Sequence, residues 1–405
     1  MINKMNEFIA KIEGHGSLNI DWGKNEVELN VFEGERLFEG LLVGRTAEEM
    51  HWITPRICGV CPTAHNLTSL AAVEAALDIR VNQTTVLLRE LMQAGQAIQS
   101  HALHLFFLSL PDYLGIDRGT ELAQKNPAAF KNALALKEVS DEIVQIVAGR
   151  NVHPTTSTIG GFHKVPSKKV LKKLLDKLNK SESAAQKTLD LAAGLDYPEL
   201  KVDLQLVVQE GDSIVAVSSN NIKGRKESSI RNYKQDISEE IKSYSTAKFG
   251  RYKGQEMLVG PLARLAVYGD YDKKYKLDFA NPFHNNLAQA IEILGCHQKA
   301  QKIIEQLLES ELDVKVVKPG SNPSLEGIGA IEAPRGGLYH EVHLDEKGII
   351  KQANIITPTV QNLTSIEKSA QALLNQTKNR SQKELERLLT MLVRAYDPCI
   401  TCSVH

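Results

Sequence analysis

The chain has 405 residues, with 48 basic against 49 acidic side chains, a formal net charge of −1 and 42% hydrophobic content. That size and apolar content support a large core, and allow either two to three domains or one composite one. The near-neutral balance gives no basic surface for nucleic acid or an anionic membrane. No apolar run reaches the roughly 18 residues of a membrane span; the longest, Ala102 to Leu110, is broken by His104 and Ser109.

Residues 1–16 show neither the apolar stretch of a signal peptide nor a twin arginine. This points to a cytoplasmic chain, or to one exported on a partner's signal. Residues 17–31 read as a hairpin: Leu18, Ile20 and Trp22 alternate, Gly23-Lys24-Asn25 turns, and Val27, Leu29 and Val31 alternate again. The helical pattern predicts helices at 62–78, 82–109, 125–149, 167–193, 285–313 and 381–396. The second should stop at Pro111. The 167–193 segment is lysine-rich with leucines at helical spacing, the pattern of a solvated amphipathic helix. Two further hairpins are expected at 204–217, turning at Glu210-Gly211-Asp212, and at 338–356, turning at Asp345 to Gly348. The polar segment 221–255 reads as surface. There is no internal repeat and no low-complexity linker.

Five cysteines occur, Cys58, Cys61, Cys296, Cys399 and Cys402, four of them in two C-x-x-C pairs. So sparse and odd a set in a long chain is not a disulfide framework. The first pair lies in Arg56-Ile57-Cys58-Gly59-Val60-Cys61-Pro62-Thr63-Ala64-His65, the second in Asp397-Pro398-Cys399-Ile400-Thr401-Cys402-Ser403-Val404-His405. Each spacing lets both sulfurs face one metal. Cys61-Pro62 suits a helix start, whose dipole favours a thiolate. A structural zinc site with four thiolates uses this same ligand set. Against zinc, the pairs stand 341 residues apart, whereas zinc ribbons keep theirs within a few tens of residues. The flanking Arg56, His65, Asp397 and His405 are also more than a structural zinc needs.

One site built from both ends requires the ends to meet. The expected organisation is therefore a single integrated domain over 1–405, with an N-terminal β-hairpin region at 12–35, a helical core at 62–150 and 285–405, and a peripheral α/β insert at about 195–280. The expected fold class is mainly α, a bundle of long helices with small antiparallel β elements. His101 and His104 share a helix face, a pattern of core packing or weak surface rather than of ligands. Cys296 reads as a buried small hydrophobe.

Three more stretches accompany the cysteines: Ile12-Glu13-Gly14-His15; Gly149-Arg150-Asn151-Val152-His153-Pro154 followed by Gly160-Gly161; and Glu332-Ala333-Pro334-Arg335-Gly336-Gly337-Leu338. Together, from residue 12 to 405, these motifs resemble the large, catalytic subunit of nickel-iron hydrogenases, in the cytoplasmic bidirectional (group 3-like) branch. The resemblance implies nickel on Cys58, Cys61, Cys399 and Cys402, with Cys61 and Cys402 also bridging to an iron that carries CO and two cyanides. Soft thiolates suit both metals. It implies that Cys399 takes the proton from H2, that Arg335 and Thr359 face the cyanides, and that Pro334, Leu338 and Pro358 wall the pocket. Arg335 would also polarise H2, with Asp397 as its carboxylate partner. Glu13 becomes the proton relay. His65, one turn beyond Cys61, becomes a donor to that sulfur. Glu39, the carbonyl of Ile355 and His405 would bind magnesium, or iron, through a water-rich shell.

Many members carry Asp-His where this chain has Ser100-His101, which removes one carboxylate from beside Arg335. Family precursors commonly carry an extension that is cut after the terminal histidine; this chain stops at His405, as a processed form does, or one whose gene encodes no extension. Beyond the four ligands only Cys296 remains, which leaves no cysteine set for an iron–sulfur cluster, and no flavin is implied in this chain. The resemblance therefore implies an iron–sulfur small subunit, and flavin-bearing subunits that pass electrons to NAD(P), with ferredoxin, a deazaflavin coenzyme or a heterodisulfide reductase as alternatives. The related quinone-site subunit of respiratory complex I lacks these four cysteines. A zinc-stabilised scaffold without catalysis is the alternative of a different class.

Overall fold

The computed structural model describes residues 4–269, 271–377 and 380–405. Strands Lys4–Phe8, Gly16–Asp21 and Glu26–Val31 form an antiparallel sheet, so the hairpin expected at 17–31 is its second half. Leu18, Ile20, Leu29 and Val31 are buried, as their alternation requires. The turn is tied by Asp21, whose Oδ1 accepts from the Gly23 and Lys24 N–H groups, both at 3.0 Å. Strand Lys4–Phe8 was not anticipated.

Helix Pro62–Ala76 starts at Cys61, with proline in its first turn. It is buried on nearly every side and lies against strand Glu326–Ala333. Gly329 allows that approach: a Cβ there would stand 2.2 Å from the Thr68 carbonyl oxygen. Helix Gln83–Leu103 is capped by Asn82, whose Oδ1 accepts from Thr85 N–H at 2.8 Å. It packs between helices Pro127–Ala148 and Asn285–Glu309, and the latter also packs on Lys168–Ala193. Helix Gln382–Ala395 opens on a Ser381/Glu384 capping box.

The helical path does not stop at Pro111. It widens into a π-helical stretch, His104–Ser109, and continues as Leu110–Leu114 to a left-handed Gly115. Pro111 stands in the first turn of that last piece, where a missing N–H costs little.

A helix at Pro358–Gln376 was absent from the sequence reading. Its buried face carries Gln361, Asn362, Thr364 and Ser365, which blur the apolar stripe. Each makes hydrogen bonds: Gln361 Nε2 donates to Gly337 O at 2.6 Å, Asn362 Oδ1 accepts from Val259 N–H at 2.8 Å, Thr364 donates to Gly250 O and Ser365 to Asn362 O.

The hairpins expected at 204–217 and 338–356 are strands Gln205–Glu210 with Ser213–Ser218, and Gly336–Leu344 with Ile350–Ile356. Glu326–Ala333 adds a third strand to the latter pair. Met257–Val259 adds a parallel edge to the former, an exception to the antiparallel expectation. The 221–255 segment is not simply surface. Strand Asn221–Ser229 is largely exposed, but Tyr233, Ile237, Phe249 and Tyr252 are buried. One apolar cluster runs from Ile9 and Leu18 through Leu206 and Leu258 to Val404, so both ends of the chain share a core. Among the described residues, no helix is long and apolar enough to cross a membrane.

Candidate metal centre

The two C-x-x-C pairs meet. Cys58 follows the turn Thr54–Ile57, Cys61 opens helix Pro62–Ala76, Cys399 stands just before the short helix Ile400–Ser403 and Cys402 lies within it. Cys58 Sγ lies 3.3 Å from Cys399 Sγ, Cys61 Sγ 3.6 Å from Cys402 Sγ, and Cys399 Sγ 2.8 Å from Cys402 Sγ. All four sulfurs lie within 4.8 Å of one another, buried and free of disulfides. The Val60 and Cys61 N–H groups donate to Cys58 Sγ at 3.2 and 3.3 Å.

Arg36 ties the two cysteine loops together: its guanidinium donates to Ile57 O at 2.7 Å and to Thr401 O, and its backbone N–H to Val404 O at 2.9 Å. The second loop leaves helix Gln382–Ala395 through Asp397 at φ 52, a left-handed position uncommon for a residue other than glycine. The Cys399 N–H donates to Thr359 Oγ1 at 3.0 Å, and Thr357 Oγ1 donates to Cys402 O at 3.0 Å.

The donor set fits a soft cation. Burial pushes the Cys399 and Cys402 thiols well up; Cys402, Cys58 and Cys61 add to it at Cys399, whereas at Cys402 the Cys399 sulfur opposes the rise and Cys58 and Cys61 add to it. Hydrogen bonds from Cys399, Cys402 and Cys61 hold Cys58 well below its ordinary value. Cys399 and Cys402 also pull Cys61 down, but Cys58 and burial outweigh them, so it is raised. The lowering expected for Cys61 from its place at a helix start is thus corrected, because Cys58 and burial together raise it. Four thiolates packed this closely repel one another, and a bound metal is what lets them ionise together.

Glu13 docks on this loop with both backbone and side chain. Its carbonyl accepts from Ile400 N–H at 2.9 Å, and its Oε2 accepts from Cys399 Sγ at 2.9 Å and from Thr401 N–H at 3.2 Å. Thr401 Oγ1 donates to the other carboxylate oxygen. Gly14 is required beside it: φ is +85°, and a Cβ would stand 2.8 Å from Ile400 Cβ.

Arg335 is buried with Asp397. Its Nη2 donates to Asp397 Oδ1 at 2.7 Å, its Nε to Asp397 O at 2.7 Å and its Nη1 to Ser100 Oγ at 3.2 Å. Burial alone would depress the guanidinium, but Asp397 and the cysteine sulfurs outweigh it and hold it well above its ordinary value. Ser100 therefore offers Arg335 a hydroxyl at this position. Gln289 Nε2 donates to Asp397 Oδ2 at 3.0 Å, and His104 sits between Gln289 Oε1 at 2.6 Å and Arg394 O at 2.7 Å.

Arg36 and Gln289 were not singled out from sequence. The available signal for Gln289 was a polar pair three apart, Gln289 and Glu292, among the apolar Ala288, Ala290, Ile291 and Ile293. His101 is buried, with Nε2 2.9 Å from Glu292 Oε2. Burial would raise the Glu292 carboxyl, but Arg264 and His101 hold it at about 2, below its unfolded 4.5. Its contribution to stability is then complete above about pH 4.5 and fades as pH falls toward about 2. Glu292→Gln is expected to lower the thermal midpoint at neutral pH, with the gap to the parent narrowing below about pH 4. A gap that stays constant between neutral pH and about pH 3 contradicts this.

His65 does not take the expected place at Cys61. Its Nδ1 faces His340 Nε2 at 3.2 Å, and its Nε2 is buried with no hydrogen-bond partner. His340 in turn reaches Ser69 Oγ at 2.9 Å. The helix turns the ring toward strand Gly336–Leu344, and burial lowers His65 to about 4. Leu338 packs in the apolar cluster that includes the four cysteines, and Pro334 and Pro358 are buried. Glu39, Ile355 and His405 come together: Ile355 N–H donates to Glu39 Oε1 at 2.7 Å, and His405 Nε2 is 2.8 Å from Ile355 O. Cys296 is only partly buried against the core, where desolvation pushes its thiol to about 12.

The nickel-dependent hydrogenase family model matches residues 36–132 and 199–405. The chain is 35% identical to the alpha chain of sulfhydrogenase 1 from Pyrococcus furiosus, over 98% of this chain and 97% of that one. It is 32% identical to one component of the F420-non-reducing hydrogenase of Methanothermobacter marburgensis, over 100% of this chain and 95% of that one. A crystal structure of an NAD+-reducing NiFe hydrogenase in the H2-reduced state superposes with a TM-score of 0.86 at 23% identity, covering 99% of each chain, which shows the shared fold. With both cysteine pairs gathered at one buried point, the chain belongs to the nickel-dependent hydrogenase family, as its catalytic subunit.

Proposed function

We propose that the chain oxidises H2 and reduces protons reversibly, with Glu13 exchanging the proton at Cys399. The observation that carries this is the Glu13 carboxylate 2.9 Å from the sulfur of Cys399, inside a four-sulfur cluster. Cys58, Cys61, Cys399 and Cys402 hold the nickel, and Cys61 and Cys402 also hold an iron that carries CO and two cyanides. When bound, that pair supplies the redox chemistry that cleaves H2.

The chain's own residues do the rest. Cys399 Sγ presents a proton to Glu13 Oε2, and Thr401 Oγ1 fixes the far carboxylate oxygen so that the near one stays on the sulfur. Arg335 keeps a positive charge in a site shut from water, where it acts strongly. Arg335 and the Thr359 hydroxyl supply donors to the cyanides, while Pro334, Leu338 and Pro358 exclude water. Asp397 neutralises Arg335, and His65 braces the first cysteine loop through His340.

Glu39, the Ile355 carbonyl and His405 hold magnesium, or iron. Here His405→Ala is expected to remove magnesium, by elemental analysis, while nickel stays. Loss of nickel with magnesium retained contradicts the assignment.

We place the chain in the cytoplasm, as one integrated domain, and its electron partner is an iron–sulfur small subunit. Four of its five cysteines already belong to the metal site, which leaves Cys296 alone. Electrons pass through flavin-bearing subunits to NAD(P). The test is the purified complex under H2, offered NAD+, NADP+, ferredoxin and a deazaflavin in turn. NAD(P) reduction supports the reading; reduction of ferredoxin or the deazaflavin alone overturns that acceptor. Zinc in place of nickel returns the scaffold alternative.

A further inference from the structure

We propose that Arg264 is a positioning residue for Arg335: held by two glutamates, it clamps the two carbonyls that precede Arg335 and so fixes where that guanidinium stands. This rests on the reading of Arg335 given above.

Arg264 lies on helix Pro261–Tyr268 and is buried. Its Nε and Nη2 donate to the two oxygens of Glu292, each at 2.6 Å. Its Nη1 donates to Glu332 Oε2 at 2.6 Å and to Ala333 O at 2.9 Å, and its Nη2 to Pro334 O at 2.8 Å. A guanidinium has five N–H groups, and here every one has an acceptor. Two of the acceptors are the carbonyls immediately before Arg335, in the turn that joins strands Glu326–Ala333 and Gly336–Leu344.

The same segment grips that turn from another side. Gly260, at φ +105°, would place a Cβ 2.7 Å from the Arg335 carbonyl oxygen. The contacts also close into a ring. Arg335 donates to Ser100, whose neighbour His101 meets Glu292, which meets Arg264, which holds Pro334 beside Arg335. A buried cation with two carboxylates is a poor choice for stability alone, since apolar packing serves as well. Its fork geometry explains the choice, because lysine has the charge without the planar fork.

Two readouts separate positioning from plain structural support. In the purified complex, Arg264→Lys is expected to speed amide hydrogen exchange across 333–338, with nickel content unchanged. Turnover should fall about tenfold to a hundredfold, the scale of a small displacement at a reacting centre. Arg335→Lys should lower turnover too, and the double variant should be no slower than Arg335→Lys alone. Glu332→Gln, a milder change, serves if Arg264→Lys does not fold, with the same exchange result expected. Unchanged exchange at 333–338, or losses that multiply in the double variant, overturn the proposal. A parent complex without nickel or turnover would sink the functional reading instead, and the exchange measurement would still decide the clamp.

Discussion

Cys402→Ser is expected to strip nickel from the chain and to take H2-dependent dye reduction below detection, a loss of at least about a thousandfold. The serine hydroxyl stays protonated near neutral pH and is a hard donor, so it replaces neither the charge nor the softness of the sulfur. Cys402 lies 2.8 Å from Cys399 Sγ and 3.6 Å from Cys61 Sγ, so its loss opens the cluster from within. The same result is expected at Cys58, Cys61 and Cys399, whereas Cys296→Ser should keep nickel and turnover. Elemental analysis of each purified variant checks this. Full nickel in any of the four variants contradicts the shared site.

The second large effect is at Glu13. Glu13→Gln is nearly isosteric: its carbonyl oxygen can accept from the Thr401 N–H while its NH2 donates to the Thr401 hydroxyl, so the loop should hold. The amide cannot exchange a proton with Cys399. Turnover should fall by about 10² to 10⁴, the usual range for losing a positioned acid–base group, with nickel and iron retained. Turnover within about twofold of the parent would place the proton route elsewhere. Loss of nickel would mean that Glu13 holds the loop rather than moving the proton.

Much of the site was legible because its signals are local. Each C-x-x-C fixes two sulfurs within one turn, Cys61-Pro62 marks a helix start, and the alternation of Leu18 to Val31 fixes a hairpin face. Residues 12 to 405 also carry enough family pattern to name the chemistry. What the sequence hid depends on distant partners. His65 was expected at a sulfur one turn away, but a strand some 275 positions later brings His340 to it. Helix Pro358–Gln376 was missed because its buried face is polar, with Gln361 and Thr364 donating to backbone carbonyls of other strands. Pro111 looked like a terminator because nothing local announces the π-helical stretch before it. Arg36 and Arg264 act through carbonyl oxygens, which every residue possesses, so no residue pattern points to them.

The most direct measurement is the metal content of the purified complex, taken together with its infrared spectrum. A site built from Cys58, Cys61, Cys399 and Cys402 predicts nickel and iron in equal amounts, with absorption from bound CO and cyanide. Zinc in their place, with no diatomic-ligand bands, would contradict it.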